Sequence, residues 1–360
     1  MADIISIGTA VPEFCHRQEA ILEFMQEIYQ LDAGERRKLG FLYKQSEIDQ
    51  RYSVIGDYSA SQQQWNFLPA GNNASFPLLD ERMVLYNRFA PQLSATAIRR
   101  CVDGYIKPSQ ITHLITVTCT GMSAPGLDLQ LSESLGLSPS VFRTSVNFMG
   151  CYAAVHALKL AKMICDTTPA ANVVIVATEL CTLHFQEEYT ADNAASSLLF
   201  ADGSAAVFIS NIIKSKSVLQ LKSFYSEIAI RGKQDMAWEL SSKGFLMRLS
   251  GYIPQLVEED ITRLVENALE KGDLKKADIS HWCVHPGGRK ILEAISKKLS
   301  LSDEDMRYSK KVMKEYGNMS SPTILFVLKE MMTEDAITDH VFGVAFGPGL
   351  TMETFIAARS

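Results

Sequence analysis

Residues 111–180 contain, in order, ITHLITVTC (111–119), DLQLSESLGL (128–137), VFRTSVNF (141–148), CYAAVHALKLAKMIC (151–165) and NVVIVATEL (172–180). Short runs rich in Val, Ile and Thr alternate here with longer helical patterns. That alternation predicts an α/β architecture whose strands are largely buried. A similar order recurs downstream. HWCVH (281–285) predicts a strand, GGRKILEAISKKL (287–299) and SPTILFVLKEMM (321–332) predict helices, and VFGVAFGPG (341–349) with LTMETFIAA (350–358) predicts a closing hairpin. Between the two sets, the polar stretch NIIKSKSV (211–218) is the natural seam, which divides the chain into halves 1–215 and 216–360. Residues 56–80 carry Gln, Asn, Ser, Gly and Pro without apolar periodicity and predict a long surface loop. LVEEDITRLVENALEKGDLKK (256–276) predicts amphipathic helix with a solvated, charged face.

Composition narrows the class. The chain has 360 residues, 47% of them hydrophobic and 21% charged, enough for a packed core that needs no disulfide or metal staple. A formal net charge of −6 argues against a broad nucleic-acid footprint, so any phosphate must be met by a local basic cluster. The seven cysteines are odd in number and lack CxxC spacing, which suits free thiols in reducing cytosol. The start, MADIISIGTAVPEF, lacks the basic region and apolar length of a signal peptide, and no apolar run reaches membrane-spanning length. The expectation is a cytoplasmic enzyme with no nucleic-acid or membrane partner.

Four motifs carry chemistry. Cys151 follows Gly150 at a strand-to-helix junction, where unpaired backbone N–H groups and the helix dipole favour thiolate. The competing reading is a buried structural cysteine. His285-Pro286-Gly287-Gly288 places an imidazole where a strand stops and glycines let a ligand approach. His281, Cys283 and His285 alternate along the same strand and so share a face, but no second cluster supplies further metal ligands. Asn318, in YGNMSSP (316–322), presents an amide near another helix start, or else merely caps it. Phe346-Gly347-Pro348-Gly349 is a constrained turn.

Taken together, GTAVP (8–12), ITHLITVTCTGMSAPG (111–126), GCYAA (150–154), ATEL (177–180), LFADGSAAV (199–207), HPGG (285–288), YGNMSS (316–321) and FGPGLTMET (346–354) resemble the type III, chalcone-synthase-like polyketide synthases over nearly the whole chain. The resemblance implies a thiolase-like fold of two similar α/β halves in α-β-α-β-α layers, and a homodimer. It implies Cys151 as nucleophile, with His285 and Asn318 completing a Cys-His-Asn triad that takes acyl-CoA and malonyl-CoA and needs no cofactor or metal. Phe200 matches a family aromatic between the CoA tunnel and the cavity, while its second such aromatic falls on Met247. The resemblance sets Cys119, Thr120, Cys181, His184, Trp238 and Ser320 around the growing chain. His184 and Trp238 replace smaller residues, which implies a narrow cavity and a short pyrone- or resorcinol-type product. In the cluster Arg36-Arg37-Lys38, Lys38 falls at a family CoA contact. Two further basic positions appear as Phe41 and Gln45, leaving Lys44 as a substitute, with Gly287, Gly288 and Lys290 at the pantetheine tunnel. Ala124 departs from the family at a position that reaches across the dimer. The rivals are a ketoacyl-ACP synthase III-like single condensation and an inactive acyl-binding partner subunit. A hydroxymethylglutaryl-CoA synthase would need a general-acid Glu, and Glu179 does not favour it.

Overall fold

The computed structural model describes residues 1–70, 75–214, 219–334, 337 and 339–359. In chain order the first half forms β1 (Asp3–Ala10), β2 (Phe14–Arg17), α1 (Gln18–Ile28), α2 (Ala33–Lys44), β3 (Gln50–Ser53), α3 (Leu79–Val102), β4 (His113–Thr118), α4 (Leu127–Ser134), β5 (Phe142–Asn147), α5 (Ala153–Thr167), β6 (Asn172–Leu180), α6 (Ala191–Leu199) and β7 (Asp202–Ser210). The second forms β8 (Leu219–Ile228), β9 (Met236–Ser241), β10 (Gly244–Leu249), α7 (Ile253–Lys271), β11 (Ile279–Val284), α8 (Arg289–Leu299), α9 (Arg307–Tyr316), α10 (Thr323–Thr333), β12 (His340–Gly347) and β13 (Thr351–Arg359). Among the described residues no helix is long and apolar enough to cross a membrane.

Nine strands run in the order β11-β12-β13-β8-β1-β7-β6-β4-β5. Two sheets are joined into this one by a short antiparallel contact, Asp3 with Gln220 and Ile4 with Leu219. Residue alternation sets the layers. On β6, Val173, Ile175 and Ala177 face the central core, whereas Val174 and Val176 pack with α1 and α3. On β12, Val341 and Ala345 join the central core, and Phe342, Val344 and Phe346 pack with α7 and α8. Helices α5 and α10 fill the space between the sheets. The result is α-β-α-β-α, the layering the resemblance implied.

The expected strands, helices and closing hairpin all form. The loop at 56–80 holds two short 3-10 turns, Asp57–Ser59 and Gln62–Gln64, and gives way to α3 at Leu79; its residues 71–74 lie outside the described residues. Of the seam, 215–218 also lie outside them, and with these the expected boundary between halves.

Candidate active site

The parallel strands β4, β5 and β6 all deliver their carboxyl ends to one side of the sheet, the usual position for a site in α/β proteins. Cys151 follows β5 and immediately precedes α5; Asn318 lies between α9 and α10; His285 follows β11. Because α5 and α10 share the central layer, their starts bring the first two together, and β11 supplies the third. Cys151, His285 and Asn318 line one cavity of about 40 Å³.

The nucleophile turn is built by exclusion. Gly150 has φ +81°, and a Cβ there would sit 2.1 Å from Pro348 Cδ. A Cβ on Gly347 would meet the Tyr152 ring at 2.5 Å and the Cys151 nitrogen at 3.3 Å. Thus the Phe346-Gly347-Pro348-Gly349 turn packs directly on the Cys151 backbone, and both glycines are there for close approach.

Cys151 is buried, and its Sγ donates to Ser320 Oγ at 3.5 Å. Burial pushes the thiol up to about 12, against the small opposing effect of that hydrogen bond. Burial thus works against the thiolate that the helix amino end favours, so ionisation calls for a group that takes the proton. His285 is 1% exposed, and burial drives its imidazole down to about 3, so the ring is neutral. Among the described residues neither His285 nitrogen has a hydrogen-bond partner. The thiol thus bonds to Ser320 and not to the His285 imidazole with which the resemblance groups it. Two buried ring nitrogens with nothing to bond are costly unless a reacting group uses them.

Asn318 is held from both sides. Its Oδ1 accepts from the Ser320 N–H at 2.8 Å, while Nδ2 donates to Gly287 O at 3.5 Å. Its backbone bridges Phe200, through Asn318 N–H to Leu199 O and Ala201 N–H to Asn318 O, each 2.9 Å. Asn318 does not cap α10, whose N-cap is Pro322; its amide oxygen makes the local turn with Ser320, and the residue lines the cavity.

Other expected residues divide. Cys119, Thr120, Cys181, Phe200, Trp238, Met247, Ser320 and Gly287 all line the nucleophile cavity. Cys119 Sγ accepts the Gly150 N–H at 3.0 Å, and burial holds the Cys119 and Cys181 thiols well above the usual range. His184 does not line this cavity but a neighbouring one. Its Nδ1 accepts from Phe245 N–H at 3.1 Å, so Nε2 carries the proton and donates to Thr120 O at 2.8 Å. Burial lowers it to about 3, and it stacks on Phe245 at 4.3 Å between centroids. It is a wall, fixed and neutral.

Lys38 is exposed on α2 and pairs with Glu35 at 2.7 Å; Lys44 ends α2, and Lys290 is exposed on the first turn of α8. The ends of these two helices are neighbours, since Arg289 lies 3.7 Å from Glu47. Arg36 is exposed, and its Nε donates to Leu31 O at 2.8 Å. Gly288 has φ +150° and caps α8. None of Lys38, Lys44, Gly288 and Lys290 lines the cavity. Cys283 is packed in the central core, where its thiol donates to Ile324 O, and among the described residues no cluster is placed to hold a metal.

Phe346 and Pro348 of the constrained turn also line the cavity, as do Met236, Leu249 and Ile291, which residue patterns did not single out. Met236 and Leu249 sit two positions from Trp238 and Met247, so strand alternation would have found them. Glu179 was dismissed as a general acid and indeed does not line the cavity. Its oxygens instead accept from Cys119 N–H, Thr120 Oγ1 and Ser321 Oγ at 2.7–2.8 Å, which ties the strand ends to the Asn318 segment.

Comparison with known proteins gives consistent matches. The chalcone and stilbene synthase N-terminal domain matches residues 1–212, and the C-terminal domain of the same family matches residues 220–359. The chain is 30% identical to type III polyketide synthase A of Arabidopsis thaliana, over 98% of this chain and 91% of that one. It superposes on PKS-I of the brown alga Ectocarpus siliculosus with TM-score 0.93 and 27% identity, covering 99% and 98% of the two chains. On the C-terminal type III polyketide synthase domain of Steely1 from Dictyostelium the values are 0.92 and 26%, covering 99% of each.

Proposed function

Because the chain belongs to the chalcone and stilbene synthase family of type III polyketide synthases, and is thus an acyltransferase-type condensing enzyme with a thiolase-like fold, we propose that it extends an acyl-CoA starter with malonyl-CoA at Cys151 and closes the chain to a short pyrone or resorcinol. The observation that carries this reading is the shared cavity of Cys151, His285 and Asn318, with both His285 nitrogens unpartnered.

In loading, a His285 nitrogen takes the Cys151 proton. The resulting imidazolium offsets the burial that otherwise disfavours thiolate. The sulfur attacks the acyl-CoA carbonyl, the carbon–sulfur bond to CoA breaks, and CoA leaves as its thiol with the His285 proton. His285 returns neutral. Malonyl-CoA then loses CO2; the pair of electrons from the broken C–C bond forms an enolate whose oxygen accepts from His285 N–H and Asn318 Nδ2. The enolate carbon attacks the Cys151 thioester, a C–C bond forms, and the thiolate is released. The elongated chain, now on CoA, reloads. Phe200 and Met247 flank the approach to the sulfur. Lys38, Lys44 and Lys290 meet CoA phosphates outside, and Gly287 and Gly288 let the pantetheine arm pass. The scheme uses no metal or organic cofactor; the homodimer follows from the family resemblance and the cytoplasm from the pattern of free cysteines. Narrow cavities support few extensions, with Trp238 and His184 occupying volume that a longer chain would need.

The test supplies acyl-CoA and malonyl-CoA without carrier protein and follows CO2 release, product mass and the mass of Cys151. Loss of one oxyanion donor costs about 100-fold or more. Asn318→Ala is therefore expected to lower CO2 release by about that factor and leave acylation of Cys151 intact, whereas Cys151→Ala abolishes acylation. A single condensation that requires an acyl carrier protein would instead identify a ketoacyl-ACP synthase III-like enzyme. Absence of any acylation at Cys151 would identify an acyl-binding partner subunit.

A further inference from the structure

Behind the nucleophile cavity lies a second one of about 50 Å³, and Cys181, Phe200, Trp238 and Met247 border both. Its lining is mostly apolar, Ile21, Met25 and Phe185 among it, but is interrupted by the polar side chains of His16, Arg51, Ser53, Thr182 and Asn193. His16 is spoken for: Nδ1 meets Ser59 Oγ at 2.7 Å and Nε2 meets Ile55 O at 2.9 Å. Arg51 is not.

Arg51 is 4% exposed, and its direction is fixed. Nε donates to Gln18 Oε1 at 3.0 Å, and Nη1 donates to Phe200 O. A Cβ on Gly317 would lie 2.8 Å from Arg51 Cγ and Cδ, so the stem is clamped as well. Among the described residues Nη2 has no partner at full hydrogen-bond distance, although the Tyr43 hydroxyl lies near enough to act on the guanidinium. Tyr43 and Tyr58 act on the guanidinium ahead of Asp202, the one carboxyl among these groups, whose oxygens are taken by Val54 N–H, Thr182 N–H and Thr182 Oγ1 at 2.6–2.9 Å. Asp202 forms no ion pair with Arg51 among the described residues. A buried cation without a paired anion, with an open N–H beside empty space, is a costly arrangement unless something fills it. The group that fits a free guanidinium N–H best is a carboxylate.

We propose that this second cavity seats the far end of the acyl chain held on Cys151, and that Arg51 Nη2 binds a carboxylate there, so that the preferred starters are monothioesters of dicarboxylic acids. The assignment rests on the preceding reading of Cys151 as the acyl acceptor. The passage between cavities runs past Met247, whose unbranched side chain rearranges more readily than a ring would. Substrate selection is thereby made at the end of the chain farthest from the sulfur.

Two matched series of CoA thioesters, one ending in carboxylate and the other in methyl, decide the matter over a range of chain lengths. Acylation of Cys151 is read by intact-protein mass, and turnover by kcat/KM. A hydrogen bond to a charged group predicts that the carboxylate series is favoured on the order of 10-fold at its best length. Arg51→Gln is expected to erase that preference while methyl-ended starters still load. Should this variant fail to fold, as circular dichroism would reveal, the wild-type comparison decides alone. Equal loading of both series at every length overturns the inference, as does a preference that survives in Arg51→Gln. Thermal stabilisation by chloride or acetate without any starter preference would make the cavity a free-anion site and overturn it too. If neither series acylates Cys151, the reading of Cys151 itself fails and the inference falls with it.

Discussion

At the scale of the residue, Glu179 carries the consequence least visible in sequence. A carboxylate inside a strand that is buried at all nine positions must be either neutral or thoroughly bonded. It is bonded at both oxygens, yet burial still pushes its carboxyl up to about 7. A carboxyl at 4.5 in the unfolded chain and near 7 in the folded one keeps its proton longer when folded. Stability therefore falls as pH rises from about 4.5 to 7, and is flat above that. Glu179→Gln has no such proton. Urea unfolding across this range should show wild type losing about 3 kcal/mol relative to the variant, with no further change at higher pH. A pH-independent difference would mean that Glu179 titrates normally. Asp202, which burial raises to about 6, is present in both proteins and cancels. Cys151, His285 and Asn318, which share one cavity, were legible as candidates because they stand in compact motifs at element ends. Glu179 and Arg51 were not, since ATEL shows a single charge and DQRYS an Asp–Arg pair, and nothing local says which partners the fold supplies or withholds.

At the scale of the element, β9 and β10 form the lid of the site. Trp238 pairs with Met247 and Met236 with Leu249, so one face of the hairpin points all four into the nucleophile cavity. Trp238 Nε1 donates to Cys119 O at 2.6 Å, which pins the lid to the end of β4. Strands β4, β5 and β6 were readable from runs of β-branched residues, because both their faces are covered or their ends are marked by turns. The hairpin was not, as AWEL and FLMRL mix charge with bulk on a half-exposed ribbon. Trp238→Ala removes the largest group between the two cavities. It is expected to shift the products to higher mass by added malonyl-derived units, with the starter unchanged. Identical product masses from variant and wild type would show that Trp238 does not limit chain growth.

At the scale of the whole molecule, the nine-stranded sheet leaves β5 as an edge. Exposed edges of this kind are ordinarily covered, and the family resemblance implies a second copy of the chain. Geometry suits that cover. Phe142 N–H donates to Thr112 O and Phe148 N–H to Thr118 O, so the even positions serve β4 and the N–H groups of Arg143, Ser145 and Asn147 face outward. Phe142 is 61% exposed on the same strand, and Met122, 54% exposed, lines a surface pocket with Ser145 and Asn147. These are apolar groups beside open backbone donors, as a two-fold pairing of β5 with its copy would require. Ser145→Pro deletes one outward donor and leaves the ladder to β4 intact. Sedimentation should give a dimer for wild type and a shift toward monomer for Ser145→Pro at unchanged helix content. A wild-type monomer, or a variant that stays fully dimeric, would place the interface elsewhere. Because β5 runs straight into Gly150 and Cys151, pairing at this edge would also brace the nucleophile turn, so weakened pairing is expected to lower Cys151 acylation in parallel with the dimer fraction.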